Sequence, residues 1–73
     1  MNRQLTAIIH TESGGFVALC PELDVASQGS TFEEARDNLR EALELFFECA
    51  DPEEIRDRFT GDVTVTQIEV AVG

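Results

Sequence analysis

The chain contains no tryptophan, no tyrosine and no lysine. Its five basic residues, Arg3, Arg36, Arg40, Arg56 and Arg58, are scattered among fifteen acidic ones, and the formal net charge is −10. Phosphate backbones are gripped by clustered Lys and Arg, so direct nucleic-acid binding is excluded as an expectation. An anionic membrane surface would repel the chain as well. No apolar run approaches the roughly 20 residues of a membrane-spanning helix. The first ten residues, MNRQLTAIIH, lack the basic region, apolar stretch and small-residue cleavage site of a secretion signal, so a cytoplasmic protein is expected.

Catalytic and metal-binding residue types are also scarce. His10 is the single histidine, and Cys20 and Cys49 are the two cysteines. Together they would give three soft ligands without the close spacing of zinc sites. Nucleophilic Ser-His-Asp or Cys-His chemistry would depend on His10, and no local motif supports it. Gly14-Gly15 is a turn signal, not a phosphate cradle. Inward carboxylates of a metal-dependent nuclease are missing between Arg3 and His10. The expectation is a protein without catalytic residues, metal or cofactor. A small hydrolase using the carboxylates is a minority alternative. In a reducing compartment both cysteines should be free thiols, buried as small hydrophobes.

Hydrophobic residues make up 42% of the 73, which is a folding composition and not that of an acidic disordered tail. The length suits one domain, residues 1–73. Residues 3–10 read as a strand with Leu5, Ala7 and Ile9 on one face and Thr6, Ile8 and His10 on the other. The turn at Gly14-Gly15 leads into Phe16–Cys20, an unbroken apolar run expected to be covered on both faces. Pro21 stops it, and residues 21–24 turn into a short third strand, Val25–Gln28, broken by Gly29. Thr31 and Glu34 form a capping box for a long helix ending near Glu48. Phe32, Ala35, Leu39, Ala42, Leu43 and Phe46 make its apolar stripe, and an Arg40–Glu44 ion pair is expected on its wet side. Asn38 is a poor helix former, and its amide is expected to bond backbone in the 21–29 segment. Asp51 and Pro52 start a short second helix that stops near Gly61. Thr64–Val72 reads as a last strand with a break in its alternation near Gln67.

The resulting α+β order is β-β-β-α-(short α)-β, with strand order 3-2-1-4 and one long helix packed on one face of the sheet. The other face keeps apolar residues such as Ile8, Val17 and Leu19. A chain this small cannot cover both sides, so a dimer or higher oligomer, or docking of a second protein, is expected on that face or along a sheet edge.

Residues 15–46, GFVALCPELDVASQGSTFEEARDNLREALELF, resemble the HicB-like antitoxin family. The resemblance rests on Pro21-Glu22-Leu23, Ser27-x-Gly29, Thr31, Glu33-Glu34-Ala35, Asn38 and Glu41-Ala42 in combination. It implies a partial ribonuclease-H-like fold without nuclease activity. It also implies a protein that binds and masks a HicA toxin, a small basic mRNA-cleaving ribonuclease. The chain departs from the family in two places. It ends at Gly73, where family members continue into a DNA-binding segment, so it should not repress an operon by itself. Asp24-Val25-Ala26 replaces the usual Pro-Gly-Cys, which affects a loop near expected partner contacts. Gly15, Pro21, Gly29, Thr31 and Asn38 are expected to shape turns and the helix start. Glu22, Asp24, Glu33 and Asp37 are partner-facing candidates by charge and expected exposure. The alternative function is a stand-alone homo-oligomeric scaffold or regulator that has lost its toxin.

Overall fold

A computed structural model describes residues 4–59, 61 and 63–73. Arg3, the first residue of the expected strand 3–10, lies outside them. The elements run β1 (Ile8–Glu12), β2 (Gly15–Cys20), β3 (Val25–Gly29), α1 (Phe32–Cys49) and α2 (Pro52–Arg58). The three strands form one antiparallel sheet with β2 in the centre. The α+β class and the long helix on one face of the sheet are present.

Local chemistry explains the elements. Glu12 pairs with Gly15 across Ser13-Gly14, whose φ angles of 47° and 82° are those of a type I′ turn. That turn matches the strand twist, and Gly14 takes the left-handed conformation without strain. It pulls Thr11 and Glu12 into β1, later than the sequence placed the strand, while residues 4–7 join no ladder. Thr31 Oγ1 accepts the Glu34 amide at 3.0 Å and caps α1. Glu34 reaches back as expected, but to the Ser30 amide at 3.1 Å. Asp51 Oδ1 accepts the Glu54 amide at 2.8 Å and caps α2, with Pro52 in its first turn.

Packing follows from strand alternation. Ala18 and Cys20 face α1 and are fully buried with Leu23, Ala35 and Leu39. Ile9, Phe16, Val25, Leu43, Phe46 and Phe47 pack around them. Leu23 is a core residue that the sequence left in a turn, because burial of a turn residue has no periodic signal. Phe32, expected in the apolar stripe, is exposed at the first position of α1, and the sheet side of that turn is taken by Ala35. Cys49 is exposed at the end of α1 and only Cys20 is buried; both are free thiols. Arg40 pairs with Asp37 at 3.5 Å, and not with Glu44.

The last strand does not form. Residues 63–73 belong to no helix or sheet, and 64–73 are exposed. Their Thr, Val and Ile content suits a pleated surface, but strand preference is realised only beside a neighbouring strand. Among the described residues the segment does not pair with β1, and the sheet they form has the order 3-2-1.

Candidate functional site

The turn between β2 and β3 is held by two distant parts of the chain. Glu22 is 7% exposed, and its carboxylate accepts the Thr6 amide at 3.1 and 3.0 Å and the Thr6 hydroxyl at 2.7 Å. The Cys20 thiol donates to it at 3.4 Å. Burial pushes the Glu22 carboxyl up, but the bonds from Thr6 and Cys20 outweigh it and leave the group below its ordinary value. Burial also raises the Cys20 thiol, with the Glu22 carboxylate adding to the shift against the Leu23 backbone. A thiol so placed stays protonated and is a poor nucleophile. From the other side, Arg58 Nη2 donates to the Leu23 carbonyl at 3.0 Å and lies 5.4 Å from the centre of the Phe46 ring.

Glu22 therefore departs from the expectation of an exposed partner residue. Its side chain ties the N-terminal segment to the turn. Asp24, Glu33 and Asp37 are exposed as expected. Asp24 sits at the tip of the turn with φ 55°, in the left-handed region where aspartate is among the better tolerated side chains. Glu33 and Asp37 lie one helical turn apart on α1 and apart from Asp24 in sequence and element.

The residues assigned to shape fulfil that role. A Cβ on Gly29 would lie 2.6 Å from the Ala35 amide nitrogen and 2.8 Å from the Glu34 carbonyl carbon, so α1 begins almost in contact with β3. A Cβ on Gly15 would meet the Gly29 carbonyl at 3.1 Å. Pro21 ends β2 as anticipated. Asn38 Nδ2 donates to the Gln28 carbonyl at 2.8 Å, which fulfils the expected bond to the 21–29 segment.

The dominant electrostatic feature is an acidic stripe on α1. Glu33, Asp37, Glu41, Glu44 and Glu48 follow one another at spacings of four, four, three and four residues, which places all five on one side of α1. All are exposed, and the stripe lies away from Ala35 and Leu39 on the sheet side. Of these five, Asp37 alone has ionic partners among the described residues, Arg36 at 3.2 Å and Arg40 at 3.5 Å. Like charges one turn apart destabilise a helix by a few tenths of a kcal/mol each. Glu44 and Glu48 also approach the negative end of the helix dipole, where α1 has no basic residue in its last turn. The stripe therefore costs the helix stability. Its spacing and its place outside the apolar stripe follow from the sequence, and the packing of Ala35 and Leu39 against the sheet agrees.

Among the described residues, no group of three or more His, Cys, Asp and Glu is arranged to hold a metal ion. An open groove runs beside the β1–β2 turn, lined by Glu12, Ser13, Phe16, Gly29, Ser30 and Glu34. His10 Nε2 lies 3.2 Å from Glu12 Oε2 at the surface. No described helix is long and apolar enough to cross a membrane.

Comparison with known proteins gives relatives along most of the chain. A UPF0150 protein of Synechocystis is 46% identical over 50 residues, covering 66% of this chain and 69% of the relative. A UPF0150 protein of Helicobacter pylori is 31% identical over 68 residues, covering 92% of this chain and 94% of the relative. A third, from Thermotoga maritima, is 28% identical over 57 residues, covering 78% and 81%. No family model and no solved structure matches the chain.

Proposed function

The chain belongs to the UPF0150 family, and we propose that it acts as a non-catalytic, HicB-like antitoxin that binds and masks a basic HicA-type mRNA-cleaving toxin in the cytoplasm. The observation that carries this reading is the exposed acidic stripe on α1, of which Asp37 alone has ionic partners among the described residues. At 1.5 Å per residue it is about 22 Å long, comparable with one side of a small domain. A ribonuclease must present positive charge to RNA, and a row of carboxylates held on a rigid helix competes for that surface. The resemblance in residues 15–46 supplies the identity of the toxin class. The fold contributes the rigid presentation, through the Thr31 cap and the close seat of α1 on Gly29.

Co-expression with a HicA-type ribonuclease encoded beside this chain tests the reading. A stable complex and rescued growth are expected. Reversing the stripe with Glu41→Lys and Glu44→Lys should abolish both while the circular dichroism of the chain is unchanged. A toxin that neither binds nor is neutralised would overturn the proposal.

The second reading is a homo-oligomeric scaffold or regulator without a toxin. It is favoured by the sheet face opposite α1, where alternation places Ile8, Val17, Leu19 and Ala26 together. Ile8 is 40% exposed there. Absence of a toxin-like neighbouring gene, with an oligomer in solution, would select this reading.

A further inference from the structure

The C-terminal segment and the free edge of β1 each lack what the other offers. Residues 67–72 alternate polar and apolar through Gln67, Ile68, Glu69 and Val70, then continue as Ala71 and Val72. Ile68 is 81% and Val72 is 87% exposed, and no sheet pairs with the segment. The molecule measures 49 × 27 × 19 Å with a radius of gyration of 14.3 Å, whereas a compact chain of this length has about 11 Å.

The edge that could receive such a segment follows from the register. Glu12 and Gly15 close a two-residue hairpin and form a hydrogen-bonded pair, so pairs alternate back to Ile8–Leu19. The amides and carbonyls of Ile9 and Thr11 consequently face outward. On the opposite edge, β3 turns Ala26 and Gln28 outward by the same alternation, and the Gln28 carbonyl is already bonded to Asn38. The β3 edge thus has one of its outward acceptors occupied, whereas no described bond occupies those of β1, which is the more open edge. Charge selects the partner. In a chain of net charge −10, residues 63–73 contain one acid, Glu69, and no base. This is the stretch that can approach another copy with little repulsion.

We propose that residues 64–72 add as a strand to the β1 edge of a second copy of this chain, and that the second copy returns its own segment to the first. A two-fold axis makes both additions equivalent and fills both edges at once. The pairing goes beyond toxin masking and does not require it, since the acidic stripe lies on α1.

The full chain should sediment as a dimer of 8.1 kDa subunits at micromolar to millimolar concentration. Val70→Pro removes a ladder donor from an exposed position outside every element. Thr11→Pro removes an outward amide on an edge strand, where proline is tolerated. Each variant alone should raise the dissociation constant at least about tenfold. Mixing the two should restore association, because the intact segment of Thr11→Pro can use the intact edge of Val70→Pro. A monomeric wild-type chain, a dimer unaffected by Val70→Pro, or variants that fail to complement each other would each overturn the proposal. Loss of toxin binding with this dimer intact would remove the antitoxin reading and leave the strand exchange standing.

Discussion

Glu22 shows how a single charged side chain can serve the fold from inside it. A buried carboxylate is costly unless donors surround it, and here the Thr6 amide and hydroxyl do so. Its folded value lies below the ordinary 4.5. The unfolded chain therefore binds the proton more readily, and the stabilisation is present above that ordinary value and lost as pH falls through the folded one. Glu22→Gln should lower stability by about 1–2 kcal/mol at neutral pH. The difference from wild type should shrink in acid, as urea denaturation across pH would read. Gly29 makes the opposite demand, for nothing at all in the place of a side chain. With backbone atoms 2.6 and 2.8 Å from a Cβ, Gly29→Ala should cost about 3 kcal/mol, measured as a lowered thermal midpoint. Both residues belong to the motifs legible in the sequence, yet their roles were legible unequally. A glycine before a helix cap reads as a break that shapes the helix start, and the close approach behind it appears only in the fold. A glutamate in a turn suggests solvent, and only the fold brings Thr6 across to bury it.

At the scale of elements, the signals read best where the chemistry was local. The caps at Thr31 and Asp51 and the turn at Gly14 all lie within four residues of what they control. Thr31→Ala should therefore cost about 1 kcal/mol and fray the first turn of α1, seen as faster amide exchange there. The ends of β1 were displaced because the register follows the turn geometry and not the apolar pattern of residues 3–10. The expected last strand failed for a related reason. A β-rich composition describes what a segment can pair with, and says nothing of whether an edge lies within its reach. α2 depends on Arg58, which crosses back to the Leu23 carbonyl and the Phe46 ring. Removing that side chain should loosen the short helix, which has no buried residue of its own.

For the whole molecule, charge dominates. Exposed carboxylates with few counter-ions act over distances comparable with the Debye length, about 8 Å in physiological salt. Association with a basic toxin should therefore slow by at least about tenfold between 0.05 M and 0.5 M salt, with dissociation changing less. Stopped-flow mixing would measure the two rates. The acidic balance was plain from composition. Its arrangement as one stripe follows from the helical spacing, and the seat of α1 on the sheet, with Ala35 and Leu39 inward, leaves the five acids exposed.

The bond from Asn38 to the Gln28 carbonyl has a consequence for how large an assembly can grow. A sheet with two receptive margins can recruit neighbours without limit and end as a fibre, and Asn38 takes one outward acceptor of the β3 margin out of use. Asn38→Ala would take away that stopper. Concentrated solutions of the variant should turn cloudy or bind amyloid dyes under conditions in which the parent chain stays clear.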